Sequence, residues 1–278
     1  MRIGRVVILG CGYTGERVAR RLLARGAPVT ATTRHPERLK DLALAGVVVR
    51  YLDVLREDSF AALADVGPGD AVLHSVPVVE DGARELDPTP LLFSRFGGPP
   101  ARIVYLSTTG VYGSAVEVDQ STPAAPQGER LRLRMAAETA VLAGPWSAIV
   151  LRPAAIYGPG RGVHESLRQG RFRMVGDGRN YASRIHVDDL AALTEAALFS
   201  RLEGAWPVAD REPCTSREIT AFCAELLGLP RPPSIPAADA HHTRRANRRV
   251  NGSAVFEKLG VSLRYPSYRT GIPASLGT

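Results

Sequence analysis

A chain of 278 residues, 45% hydrophobic and 23% charged, is long enough to bury a large core, as one domain or as a nucleotide-binding domain with a smaller lobe. No apolar run is long enough to cross a membrane and no charged, apolar, small-residue leader precedes the first strand, so no membrane role is expected and a cytoplasmic protein is. The formal charge of +7 raises nucleic-acid binding. It comes from scattered arginine with one dense segment, Arg244-Arg245-Ala246-Asn247-Arg248-Arg249, without interleaved aromatics, so no nucleic acid is expected and a small anionic molecule suits the cluster better.

The first element is a strand, Arg5 to Leu9, running into Gly10-Cys11-Gly12-Tyr13-Thr14-Gly15. Apolar residues then continue at helical spacing through Val18, Leu22 and Leu23. In G-x-G-x-x-G the first glycine turns tightly, the second admits a pyrophosphate to the backbone, and the third lets the helix close on the strand. The helix N-terminus offers unpaired N–H groups to the anion, so Gly10, Gly12, Tyr13, Thr14 and Gly15 are expected at a dinucleotide. Gly26 closes the helix, and Ala27 to Thr33 reads as a second strand.

That strand ends on Arg34, where an NAD enzyme usually carries an acid for the ribose 2′-hydroxyl. A guanidinium with no nearby acid predicts NADP(H) in preference to NAD(H), Arg34 pairing the 2′-phosphate. An exposed arginine at a strand end is the plainer alternative. A third strand, Val47 to Tyr51, leads to Asp53, placed either to reach the adenine amino group or as an ordinary loop or N-cap aspartate. The fourth, Ala71 to Ser75, empties into Val76-Pro77, which puts Ser75 and Val76 near the middle of the cofactor. Alternating strands and helices over the first two thirds predict a parallel sheet, doubly wound in the Rossmann manner. Cys11, Cys214 and Cys223 are odd in number and lack metal-site spacing, so no metal is expected and free thiols are.

The fifth strand, Arg102 to Leu106, leads into Ser107-Thr108-Thr109-Gly110-Val111-Tyr112-Gly113, then Val118-Asp119-Gln120 and Pro123. Further on stand Leu151-Arg152-Pro153 with Tyr157-Gly158-Pro159-Gly160, the segment Arg184-Ile185-His186-Val187-Asp188-Asp189, and Arg249-Val250-Asn251 ahead of Leu259-Gly260. With the glycine turn, these ordered motifs resemble the extended short-chain dehydrogenase/reductase family, also called the NAD-dependent epimerase/dehydratase family, over almost the whole chain. The resemblance implies a nicotinamide cofactor and a small carbonyl or hydroxyl substrate. It places Ser107 or Thr108 in catalysis and Pro153 beside the nicotinamide.

In that family a Tyr-x-x-x-Lys pair on the next helix moves the proton, since residues four apart share a helix face and a cation lowers the phenol's pKa. Here the corresponding segment is Gln127 to Glu138, with Arg130 in the tyrosine place and Arg134 in the lysine place. The chain's only lysines, Lys40 and Lys258, do not follow a tyrosine by four residues. Arginine stays protonated and cannot act as the acid, although Arg134 could hold the ribose and Arg130 an anionic substrate. Alternatively, Arg130, Arg132 and Arg134 alternate on a solvated helix face. Tyr112 and Tyr157 are candidate replacement donors, or structural residues beneath the site; His74 and His186 are weaker candidates.

Arg161, in a glycine-rich loop, is an expected substrate contact or an ordinary loop residue. A helix from Asp189 to Phe199, capped by Asp188 or Asp189, and a strand from Ala205 to Ala209 return to the sheet. A helix through Leu227, a proline-rich linker near 230–236 and a short helix from Ser253 to Leu259 follow. The expected division is a Rossmann domain over 1–160, completed by about 184–210, with a small C-terminal substrate lobe from 161–183 and 211–278. Arg244, Arg245, Arg248 and Arg249 face either the crevice or solvent. The readings that follow are an NADP(H)-dependent oxidoreductase or epimerase/dehydratase-like enzyme with a non-standard acid, or a non-catalytic NADP(H)-binding sensor or scaffold.

Overall fold

The structure, a computed structural model, describes residues 3–240 and 246–277. Its centre is a sheet of seven strands, β1 (Arg5–Leu9), β2 (Val29–Thr33), β3 (Val48–Tyr51), β4 (Asp70–His74), β5 (Arg102–Leu106), β6 (Ser147–Pro153) and β7 (Gly204–Val208). They lie in the order β7-β6-β5-β4-β1-β2-β3, every pair parallel. This is the doubly wound Rossmann arrangement, with the order reversing between β1 and β4. Because the strands are parallel, their carboxyl ends share one edge, which is where such sheets bind ligands.

The strands are buried on both faces, so β1, β4 and β5 read as nearly continuous apolar runs rather than alternating ones. On one face, Val18, Ala19 and Leu22 of α1 (Tyr13–Ala24) pack with Leu190, Ala191 and Ala197 of α6 (Val187–Leu198). On the other, Ala137 and Val141 of α4 (Glu129–Ala143) join Phe60, Leu63 and Leu92, the last in α3 (Thr89–Ser94); a short α2 (Lys40–Leu44) precedes β3. Each fully buried Val or Leu contributes about 1.5–3 kcal/mol, so these two layers dominate the stability.

Arg102 enters β5 with no exposed surface. Its guanidinium donates to the Ala197 and Leu202 carbonyls and to the Ser147 and Ser200 hydroxyls, holding the C-terminal end of α6 where a cation is favoured. Burial pulls its pKa down to about 10.

A separate core of Tyr157, Leu167, Cys214, Ile219, Cys223, Tyr268 and Ile272 joins α5 (Val163–Arg168), α7 (Ser216–Leu227) and α9 (Tyr268–Leu276) beyond the sheet edge. α8 (Ser253–Leu259), expected in the lobe, instead sends Val255 and Phe256 into the sheet-face core with α6. α7 starts with a capping box between Thr215 and Glu218. The cap of α6 differs from expectation: His186 Nδ1 accepts from the Asp188 N–H, while Asp189 is buried and accepts from the Arg264 and Tyr265 N–H groups. A helix-starting aspartate lost the cap because a loop 75 residues later claims its carboxylate. The sequence reading also lacks α9 and the hairpin Val79–Asp81 with Arg84–Leu86.

Among the described residues no helix is long and apolar enough to cross a membrane, and no cluster of His, Cys, Asp and Glu could hold a metal. Cys11, Cys214 and Cys223 are buried free thiols.

Candidate functional site at the carboxyl edge of the sheet

The three glycines of the first turn occupy three different environments. Gly10 has φ +78°, and a Cβ there would lie 3.1 Å from Val76 Cγ2 and 3.2 Å from Val76 N. A Cβ on Gly15 would lie 3.2 Å from Ile8, where helix and strand close together. Around Gly12 no protein atom stands within 4 Å of that position. Gly12 is also the N-cap of α1 and supplies no side chain, so the first-turn N–H groups have no side-chain cap. A tight turn, an open approach and a helix N-terminus together fit a dinucleotide pyrophosphate.

The turn is held from behind. Thr32 Oγ1 accepts from the Gly10 N–H at 3.3 Å, and Ser75 Oγ donates to the Gly10 carbonyl at 2.8 Å. Ser75 therefore shapes the turn, and Val76 walls it. Thr14 is buried in α1. Tyr13 is half-buried, donates to the Pro159 carbonyl at 3.0 Å, and lies beneath both Arg17 and Arg161.

Arg34 follows β2 and is exposed, and among the described residues its side chain has no hydrogen-bond or ion-pair partner. Asp53 follows β3 and half-closes an Asx turn, its Oδ1 accepting from the Leu55 N–H at 3.1 Å.

At the end of β5 the two hydroxyls have different fates. Ser107 is buried and donates to Glu138 Oε1. Glu138, 0% exposed, is paired with Arg152 Nη2 at 2.6 Å and Nε at 3.0 Å. Arg152 lies 4.9 Å over the Tyr112 ring. Thr108 is half-exposed, and its Oγ1 accepts from the Gly110 N–H at 3.1 Å, which leaves the hydroxyl proton free to be donated. Thr108 is thus the hydroxyl that can meet a ligand, and Ser107 is the one that fixes the loop.

The arginines of α4 do not alternate on a solvated face. Arg132 is exposed and pairs with Glu129, whereas Arg130, its side chain still 42% exposed, and Arg134, four apart, both reach protein acceptors. Arg130 pairs with Glu85 of the hairpin at 2.9 Å and donates to the Val78 carbonyl at 2.9 Å. Arg134 donates to Tyr105 Oη at 2.6 Å and reaches the Val76 carbonyl at 3.4 Å. The solvated reading holds for Arg132 and in part for Arg130, but the chain after β4 supplies acceptors within reach of the Arg130 and Arg134 guanidiniums. Behind Arg134, Tyr105 packs on His74, whose Nε2 meets Thr89 Oγ1 at 2.8 Å. Burial raises Tyr105 to about 12, and burial with the Arg134 charge lowers His74 to about 3.

The alternative phenols are enclosed. Tyr112 is 1% exposed, and burial raises its pKa. Tyr157 is 3% exposed, donates to the Ser267 carbonyl at 3.3 Å, and is pushed well above the ordinary tyrosine range by burial. His186 packs on the Tyr157 ring edge and is driven down to about 4 by burial. Pro153 is buried at the end of β6.

In the basic run, Arg248 faces neither crevice nor solvent: its guanidinium donates to the Thr109, Gly113 and Ala115 carbonyls, bracing the loop after β5. Arg249 pairs with Glu117 and stacks 3.8 Å over Tyr181. Arg244 and Arg245 lie outside the described residues. Sequence reasoning missed Glu138 with Arg152, and Tyr105 as the partner of Arg134. A charged residue inside the apolar run Ala148 to Leu151-Arg152 was the available signal, since a charge there needs a buried partner.

Known proteins share this architecture. A 3-diazoavenalumate denitrifying reductase from a Streptomyces species is 27% identical over 96% of this chain and 99% of its own. A 2-alkyl-3-oxoalkanoate reductase from Stenotrophomonas maltophilia is 29% identical, covering 80% of this chain and 75% of its own. A solved structure of a functionally unknown conserved protein from Silicibacter pomeroyi is 32% identical, with TM-score 0.81 over 99% of this chain and 98% of its own. The profile of the NAD dependent epimerase/dehydratase family matches residues 6–205, and with the glycine turn, the parallel sheet and the motifs on its carboxyl edge, the chain belongs to that family.

Proposed function

We propose that this protein is an NADP(H)-dependent oxidoreductase, or an epimerase/dehydratase-like enzyme, acting on a small anionic carbonyl or hydroxyl compound without the Tyr-x-x-x-Lys pair. The observation that carries the cofactor half is Arg34: a solvent-exposed guanidinium at the end of β2, free of protein partners, where a 2′-hydroxyl would call for an acid. Gly10, Gly12, Gly15 and the N-terminus of α1 would hold the pyrophosphate, and Asp53, Ser75, Val76, Arg134 and Pro153 would border the rest. The bound cofactor would supply hydride transfer at its nicotinamide.

On the substrate side the chain's own contribution is the Thr108 hydroxyl, with Ser107 clamped by Glu138 to set the loop. Relatives named for 3-diazoavenalumate and 2-alkyl-3-oxoalkanoate are reductases of carboxylate compounds, which supports an anionic substrate. Arg130, Arg161 and Tyr157 are further candidate contacts, whereas Tyr112, 1% exposed, packs against Arg152.

A non-catalytic NADP(H)-binding role is the second reading. It is favoured by the engagement of Arg130 with Glu85 and of Arg134 with Tyr105, which leaves no group on α4 poised to move a proton.

Parallel titrations with NADPH and NADH test the cofactor. NADPH should bind more tightly, and Arg34→Ala should weaken it about tenfold while leaving NADH unchanged. Tighter NADH binding overturns the preference. Oxidation of bound NADPH by 3-oxohexanoate, lost in Thr108→Ala with nucleotide affinity intact, separates the enzyme from the sensor.

A further inference from the structure

Among the buried arginines, Arg184 is the exception. Arg102 and Arg248 use Nε and both terminal nitrogens on carbonyls and hydroxyls, and Arg152 has the Glu138 carboxylate. Arg184 is 7% exposed, yet only Nη1 is engaged, donating to the Ala182 carbonyl at 2.8 Å and to Cys214 Sγ at 3.0 Å. Among the described residues its Nε and Nη2 have no acceptor, and neither is sealed from solvent. Asp210 is within electrostatic reach and its N–H donates to the Arg184 carbonyl at 2.6 Å, but its carboxylate forms no ion pair with the guanidinium.

Arg184 lines a pocket of about 480 Å³ between the sheet edge and the lobe. Among the described residues the charged ones lining it are Arg161, Arg171 and Arg184, with no acid. Arg161 and Arg171 are exposed at its mouth, and Arg161 lies over the Tyr13 ring, beside the glycine turn. The remaining wall is largely apolar, with Ile156, Val163, Phe172, Ile219 and Ile272. A buried cation is costly unless paired, and a guanidinium fork matches an oxyanion in two parallel hydrogen bonds. A volume of that size with few polar groups and an apolar wall suits a small organic ligand.

We propose that this pocket holds the oxyanion head and apolar body of the substrate, the two free donors of Arg184 taking a carboxylate or phosphate and the isoleucine and phenylalanine wall taking the carbon chain. This rests on the anionic-substrate reading above and assigns that anion to Arg184 as the specificity-determining residue. Arg184 stands in a strand that otherwise reads as a core segment, so its role was invisible in the sequence.

Calorimetric titration with hexanoate, hexyl phosphate and hexanamide, with and without NADPH, tests it. One or both anions should bind and hexanamide should not; the stronger of the two identifies carboxylate or phosphate as the head. Arg184→Met should weaken that anion about tenfold or more while NADPH affinity stays unchanged. Because Arg184 is buried, Arg171→Gln at the exposed mouth is the second variant, expected to weaken the anion about threefold with an unchanged melting temperature. Equal binding of hexanamide and hexanoate, or unchanged anion affinity in Arg184→Met and Arg171→Gln, overturns the proposal. Loss of NADPH rather than anion binding in Arg184→Met overturns it too. Failure of NADPH to bind the unaltered chain would instead strike the cofactor reading alone.

Discussion

The glycine turn after β1 and helix α4 serve the same edge of the sheet, and they have kept opposite things. The turn retains three glycines with three separate tasks and an N-terminus without a side-chain cap, the backbone shape that suits a dinucleotide pyrophosphate. α4 retains the position of its inward face but carries arginines where the family has a phenol and a lysine. Those arginines are occupied, one with the hairpin after β4 and one with Tyr105. Binding and proton transfer are therefore separable in this fold. Backbone shape holds a cofactor, whereas a proton donor needs a side chain of the right pKa, and structural pairing can consume that position without disturbing the sheet.

The comparison is broken most forcefully at Glu138. If α4 now works as a structural element, Glu138→Gln leaves the buried Arg152 without a charge partner and should cost about 3 kcal/mol of stability, read as a lower urea midpoint. A change below about 0.5 kcal/mol would mean that the Ser107–Glu138–Arg152 network is not what holds this edge. The turn is probed by Gly12→Val, whose side chain would project where no protein atom lies within 4 Å. The variant should fold with an unchanged melting temperature but bind NADPH about 100-fold more weakly, about 2.7 kcal/mol by calorimetry. Unaltered binding would detach the turn from the cofactor.

The smallest effect per residue concerns protons. His186 and His74 are held neutral in the folded state, with pKa values pushed down to about 4 and about 3 by burial. The unfolded chain takes up these protons near pH 6.5, so their contribution is fully present above that pH and is lost as pH falls through 6.5 toward 4. The loss should be about 1.4 kcal/mol for each histidine at pH 5.5, measured as a falling urea midpoint; a midpoint that rises over this range contradicts the neutral assignment.

Local residues disclosed a good deal of this molecule. Arg5 to Leu9 followed by G-x-G-x-x-G specifies a strand, turn and helix because each glycine answers a steric demand within a few residues of itself. The parallel, doubly wound sheet was legible from the alternation of strands and helices, and the two arginines in the Tyr-x-x-x-Lys places from the family resemblance. Other features depend on partners far along the chain. His186 caps α6 because the Arg264 and Tyr265 N–H groups claim Asp189. Arg248 is a brace rather than a surface charge because the loop after β5 presents three carbonyls to it. Arg130 and Arg134 are partnered because the segment after β4 carries acceptors. Spacing thus determined the dinucleotide fold, and the family resemblance pointed to the missing acid. Only the tertiary structure decided which charges are spent on the protein itself and which, like Arg34 and two donors of Arg184, have no partner among the described residues, since a charge finds its partner in space and not in sequence.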